Sequence, residues 1–214
     1  MKEKIYVDKL KYEKDFIAKG CTLIAGVDEV GRGPLAGPVV CCSVIMPLDE
    51  DKIIEGVDDS KKISEKKRIA LAEKIKETAI SYAIYQIEPD KIDEINILEA
   101  VKLCMVSAVE SLSVKPDALM IDGNDIHLDL SKITSLKEHA YIVKGDANSY
   151  TIGCASIVAK VYRDKLMEDY AKTYPVYGFD KHKGYGTKAH IDAVKENGPC
   201  IIHRKTFIKN FWAE

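Results

Sequence analysis

The sequence has no strong excess of charge of either sign. Its formal net charge at pH 7 is −2 over 214 residues, so no global basic field gathers nucleic acid, and such a partner has to be met by local patches. Paired-cysteine spacing is also missing. Cys21, Cys41, Cys42, Cys104, Cys154 and Cys200 form no Cys-x-x-Cys and lie mostly in apolar surroundings, which reads as free structural thiols in a reducing compartment. Long hydrophobic runs are absent. The most apolar stretch, Leu35 to Pro47, is too short to cross a bilayer and is interrupted by Gly37 and Pro38. Met1-Lys2-Glu3-Lys4 leads into no apolar segment of the kind that directs secretion. There is no internal repeat, low-complexity segment or linker. The expectation is a cytoplasmic monomer with no membrane partner.

What remains is an ordinary globular composition, 46% hydrophobic and 31% charged, which suits one domain with at most an appendage. A chain of roughly 200 residues hides about 70% of its unfolded surface, enough for a sizeable core. Strands are predicted over about 22–29, 39–46, 81–87, 118–121 and 141–143. Helices are predicted within 3–19, over 65–78 behind a Ser64 N-cap, over 96–113 after an opening at Glu88-Pro89-Asp90, over 151–171, and over 188–196 behind Thr187. The 65–78 helix turns Ile69, Ala72 and Ile75 inward, and the 151–171 helix turns Ile152, Ala155, Val158, Ala159, Tyr162 and Leu166 inward. Three early strands followed by strands alternating with helices indicate a mixed α/β sheet with helices packed on it.

The chain is organised around Ile24-Ala-Gly-Val-Asp-Glu-Val-Gly-Arg-Gly33. An apolar strand delivers Asp28 and Glu29, and a Gly-Arg-Gly turn follows. Asp122 and Asp146 also come at or just beyond short apolar strands. Strand ends are where α/β sheets build sites, and carboxylates gathered there repel one another unless a hard, oxygen-seeking cation sits between them. A lone aspartate at a strand end more often serves a turn. Neighbouring residues of a regular strand also point to opposite faces, so Asp28 and Glu29 share a site only if the strand twists or ends there.

The stretch Ile24 to Val40 resembles the signature of the type 2 ribonucleases H, the bacterial ribonuclease HII family. The likeness continues through Asp59-Ser-Lys-Lys-Ile-Ser64, Ile121-Asp-Gly123, Lys144-Gly-Asp146, Ala155-Ser-Ile-Val-Ala-Lys-Val-Tyr-Arg-Asp164 and His182-Lys-Gly-Tyr-Gly-Thr187, and ends near Ile202-His-Arg204. The resemblance implies an RNase H-like fold, a mixed β-sheet flanked by helices with a small C-terminal helical appendage. On that basis residues 1–19 are an N-terminal helical segment, 20–174 the catalytic domain and 175–214 a substrate-binding segment.

It also implies endonucleolytic cleavage of the RNA strand of RNA/DNA hybrids, and cleavage 5′ of single ribonucleotides in duplex DNA, giving 3′-hydroxyl and 5′-phosphate ends. The family's catalytic metal ligands fall on Asp28, Glu29, Asp122 and Asp146, with Mn2+ or Mg2+ as cofactor. Its substrate contacts fall on Gly31, Arg32, Gly33, Lys61, Lys183 and Tyr185. The glycines let backbone amides approach a 2′-hydroxyl, Arg32 holds a phosphate, and the ring of Tyr185 packs on the deoxyribose beyond the junction. A replication clamp is a candidate partner. Asp164 is expected to pair with Arg163 or a nearby lysine, and His182 and His203 are weak candidates for a general base. Gly153-Cys154 and Asp180 depart from the family pattern. Ribonuclease HIII is the nearest alternative; Asp146, where that sister family has a glutamate, argues against it. A hybrid-binding module without catalysis is the alternative from another class.

Overall fold

The computed structural model describes residues 8–124 and 126–212, so the part of the predicted first helix before residue 8 lies outside the described residues. Five strands form one mixed sheet: β1 (Ile24–Val30), β2 (Val39–Ile45), β3 (Ser81–Ile87), β4 (Ala118–Asp122) and β5 (Glu138–Ile142), in the order β3-β2-β1-β4-β5. The first three make an antiparallel meander, and β4 and β5 add in parallel to the other side of β1. β1 is therefore central.

β2 is buried along its whole length because both faces are covered. Val39, Cys41 and Ile45 belong to a core shared with α3 (Pro89–Ile95) and α4 (Ile97–Glu110), while Cys42 and Val44 belong to one shared with α2 (Glu65–Thr78) and α6 (Tyr150–Thr173). The adjacent cysteines thus point to opposite sides, as strand alternation requires. All six cysteines are free. Against the other face of β1, α6 approaches so closely that a Cβ at Gly26 would lie 2.7 Å from the backbone nitrogen of Ile152. α1 (Lys11–Ala18) is tied to the start of α6 by buried Glu13, whose carboxylate accepts from the Ser149 hydroxyl at 2.8 Å and the Thr151 amide at 2.9 Å.

Several elements differ from the sequence expectation. The helical region after Glu88 breaks at Asn96, which sits at φ +66 and accepts from the amides of Leu98 and Glu99, so it caps a separate α4. Ser64 precedes α2, but its side chain makes no capping bond. On α2, Leu71, Ala72 and Ile75 are buried and Ile69 is exposed. On α6 the inward stripe continues from Ala159 to Arg163 and Met167, and Tyr162 is exposed. Those buried positions follow the i, i+4 spacing of one helix face; an arginine among them hid the pattern. β5 begins three residues earlier than expected and leaves Val143 exposed.

After α6 the chain forms a 3-10 turn and three short helices, α7 (Phe179–His182), α8 (Lys188–Asn197) and α9 (Lys205–Ile208). Tyr177, Phe179, Val194, Ile202 and Ile208 pack with Ala36 and Met167 into a small core of their own. Backbone bonds fasten this segment to the loop after β1: Leu35 N–H to Gly184 O, Gly37 N–H to Ile202 O and Arg204 N–H to Leu35 O, each 2.8 Å.

Candidate active site

β1 pairs with β4 only as far as Val27, opposite Ile121, whereas its pairing with β2 runs on through Asp28, Glu29 and Val30. The strand does not end at the two carboxylates; its parallel neighbour does. β1 therefore projects past its pairing with β4, its edge on that side is open, and the side chains of Asp28 and Glu29 both reach the space at the end of β4. One oxygen from each of Asp28, Glu29 and Asp122 lies within 4.8 Å of the others. Gly123 follows Asp122 at φ +85 and turns the chain away.

Asp146 comes four residues after β5, in the first turn of the short helix α5 (Gly145–Asn148), not on a strand end. The Gly145 amide donates to Asp122 Oδ1 at 2.6 Å, which sets Asp146 beside Asp122. Asp146 lies outside the tighter group of three but lines the same cavity of about 310 Å³ with Asp28, Glu29, Asp122, Lys61 and Tyr185. Ser60, Ser156 and Lys160 line it too. A larger hollow of about 510 Å³ beside α4 gathers no comparable set of carboxylates.

Burial raises the pKa of Asp28 well above the ordinary carboxylate value, and the charges of Glu29 and Asp122 push it further; a hydrogen bond from Ser156 opposes them. Burial also raises Asp122, as does Asp146, against the amides of Gly145 and Asp146. A cation placed among these oxygens relieves the mutual repulsion. The all-oxygen donor set fits a hard divalent ion such as magnesium or manganese.

The polar loop before α2 closes one side of the cavity. The Ser60 and Ser156 hydroxyls lie 3.1 Å apart, and Arg68 donates to Ser60 O, so this loop is linked to α6 and through Ser156 to Asp28. Lys61 is exposed on its rim. Lys160 pairs with Asp164 at 2.7 Å, which answers the expectation for Asp164: its partner is the lysine one turn earlier, not Arg163.

The Gly-Arg-Gly turn borders the cavity at Tyr185. Gly31 sits at φ +93, where a Cβ would lie 2.8 Å from Pro38 O, so the position excludes other residues. Gly33 is exposed, and a Cβ built there would be 3.9 Å from the Tyr185 ring. Arg32 is half-buried on the turn and is not among the residues lining the cavity. Lys183 does not join them either. Its ammonium is held by Glu168 and by Asp180 O, both at 2.7 Å.

Sequence reasoning passed over Ser60, Ser156 and Lys160 as site residues, although all three fall within the quoted motifs. It also passed over the two arginines beneath the turn, Arg163 and Arg204, because a buried arginine has no periodic signature. The histidines lie outside the cavity. His190 Nε2 and His203 Nε2 are 3.0 Å apart, His190 Nδ1 is 2.9 Å from Tyr185 O, and His182 Nε2 is 2.7 Å from Tyr177 O. Burial and the neighbouring His190 hold His203 down at a pKa of about 4. These rings brace the backbone that carries Tyr185.

Residues 25–214 match the family model described as Ribonuclease HII. The chain is 52% identical over 206 residues to the ribonuclease HII of Lactobacillus acidophilus, covering 96% of this chain and 78% of that one. Its structure is similar to the crystal structure of ribonuclease H2 from Pyrococcus horikoshii OT3, with a TM-score of 0.72 at 30% identity over 89% of this chain and 97% of that one. For the ribonuclease HII in the PCNA complex from Archaeoglobus fulgidus the TM-score is 0.73 at 29% identity, over 86% and 94%.

Proposed function

The chain belongs to the ribonuclease HII family, metal-dependent ribonucleases H of RNA/DNA hybrids, and from that premise we propose that it also cuts duplex DNA on the 5′ side of single embedded ribonucleotides. The observation that carries this reading is the convergence of Asp28, Glu29 and Asp122 at the end of β4, in a cavity that also holds Asp146, Lys61 and Tyr185. In this reading the four carboxylates hold two divalent cations, magnesium or manganese. When bound, these supply Lewis-acid charge neutralisation at the scissile phosphate and a more acidic nucleophilic water.

The chain's own residues do the rest. Asp28 and Asp122, whose charges repel each other, supply the charge that retains the cations. Lys61 on the rim meets a backbone phosphate. The amides of the Gly31-Arg32-Gly33 turn meet the ribose 2′-hydroxyl, and the ring of Tyr185 favours a following sugar that lacks one. Residues 175–214 act as the substrate-binding segment.

The 2′-hydroxyl of a lone ribonucleotide faces its own 3′-phosphate, so it cannot attack the phosphate on its 5′ side. Water is the nucleophile, the P–O3′ bond breaks, and the ends are a 3′-hydroxyl and a 5′-phosphate. One solved relative was captured with PCNA, which supports a replication clamp as a partner here.

The test is incubation of a DNA duplex carrying one ribonucleotide with magnesium or manganese, beside an all-DNA duplex and a long hybrid. The expected result is one cut 5′ of the ribonucleotide, none in the all-DNA duplex, and loss of cleavage in Asp28→Asn. Cleavage of the long hybrid alone would overturn the single-ribonucleotide reading. Undiminished cleavage by Asp28→Asn would overturn the assignment of the site.

A further inference from the structure

Two arginines of the small C-terminal core and α6 are fully buried, and their hydrogen bonds run to backbone carbonyls of the site. Arg163 donates to Pro38 O, Ala36 O and Lys183 O at 3.0–3.1 Å. Arg204 donates through Nη2 to Gly31 O at 2.6 Å and Gly37 O at 2.8 Å, through Nε to Gly37 O at 3.0 Å, and through Nη1 to Arg32 O at 3.0 Å. Asp164, the carboxylate next in sequence to Arg163, is paired with Lys160 instead. Asp93 acts on Arg204 only through its charge, and the hydrogen bonds of both guanidinium groups go to carbonyls. Burying charge on such partners is costly, so a merely structural role is poorly served by this choice of residue. Burial lowers Arg204 to a pKa of about 9, with Arg163 adding to the shift, and it stays protonated at neutral pH.

The bonds of Arg204 have a stereochemical consequence. In a trans peptide the C=O and the following N–H point in opposite directions, and there are no cis bonds among the described residues. Gly31 O aimed at Arg204 turns the Arg32 N–H away from the guanidinium. Arg32 O aimed at Arg204 does the same for the Gly33 N–H. Two successive N–H groups are thereby set on the side of the turn opposite the buried charge, where Gly33 is exposed beside the Tyr185 ring.

We propose that Arg204 is the positioning residue for ribose recognition: by holding the carbonyls of Gly31 and Arg32 it presents the amides of Arg32 and Gly33 to the 2′-oxygen of the ribonucleotide. The inference rests on the proposed cleavage at embedded ribonucleotides and names the part that reads them. Arginine suits the task because its planar fork engages three carbonyls at once. A lysine ammonium is a point donor and leaves at least one of them without its partner. The reader of the turn thus comes from the far end of the chain, 172 residues after Arg32.

The test uses binding rather than cleavage. In the full-length Asp28→Asn protein with magnesium, fluorescence anisotropy compares a duplex carrying one ribonucleotide with the same duplex in all-DNA form. Asp28→Asn alone is expected to prefer the ribonucleotide duplex. Adding Arg204→Lys should cut that preference about fivefold, with affinity for the all-DNA duplex changed by no more than about twofold, the scale of one lost hydrogen bond against none.

A preference retained in the double variant, or an equal loss on both duplexes, overturns the positioning role while leaving the ribonucleotide reading in place. Absence of any preference in Asp28→Asn itself overturns that reading, and the role of Arg204 with it. If Arg204→Lys does not give a cooperative melt, Phe207→Leu carries the same comparison. It removes the ring that lies 5.1 Å from the guanidinium and keeps the charge. A fall of about twofold in preference is then expected, and an unchanged ratio overturns the proposal.

Discussion

Replacing Asp28 by Asn should make the metal-free protein more stable while weakening its response to metal. Oxygens of Asp28, Glu29 and Asp122 lie within 4.8 Å of one another, where two unit charges repel by about 3.5 kcal/mol at an effective dielectric constant of ~20. Protonation and salt relieve part of this. If ~1 kcal/mol survives, the melting temperature rises by about 2–4 °C in a chain of this size. The pH dependence follows from the raised pKa of Asp28. A carboxyl raised in the fold contributes stability that is fully present below its ordinary value of 3.8 and is lost as pH rises towards the folded value. The gain from Asp28→Asn is therefore largest near pH 8 and smallest near pH 4. Metal acts in the opposite sense. At a free concentration ~100 times Kd, the parent gains about 2.7 kcal/mol, or about 5–11 °C, and the variant gains less than half of that. Thermal melts in chelator and in manganese or magnesium, at acid and alkaline pH, measure all four quantities. A variant that melts below the parent in chelator at pH 8, or that gains as much from metal, refutes the reasoning.

Gly26→Ala places a Cβ 2.7 Å from Ile152 N and 2.8 Å from Thr151 C, and backbone cannot step aside as a side chain can. The expected cost is about 1–3 kcal/mol, a fall of about 2–12 °C in melting temperature, together with lower cleavage because α6 also carries Ser156 and Lys160; unchanged melting and activity would remove the close-contact account. His203, held at about 4 in the fold against an ordinary 6.5, contributes stability that is present above pH 6.5 and lost as pH falls towards 4. His203→Gln should make the fall in melting temperature across that window shallower than in the parent, and an equal slope in the two proteins would show that another group titrates there.

The fold was legible where local pattern and burial agree. β1, β2 and β3 read directly as apolar or alternating runs, and α6 as a long helix from its spacing, because backbone periodicity sets which side chains share a face. Legibility failed where a polar residue does the work of an apolar one. Arg163 continues the buried stripe of α6, and Asn96 splits one expected helix into two by taking a left-handed conformation and capping the second. Lys183 reads as a phosphate-binding residue beside Tyr185, yet Glu168, fifteen residues earlier on α6, occupies its ammonium. No local signal announces such a pairing.

By itself the sequence determined the family, the order of the strands along the chain, and the set of carboxylates and motif residues from which a site could be made. These are properties of residue identity and of spacing along one strand or helix. The tertiary structure alone decided that β1 outruns β4, so that adjacent residues pointing to opposite faces of a strand meet Asp122 in one place. It alone decided that the Gly31-Arg32-Gly33 turn is held by an arginine from the other end of the chain. Both follow from how the elements lie against one another, through strand register and the demand of buried carbonyls for donors, and neither is written in any local stretch of residues.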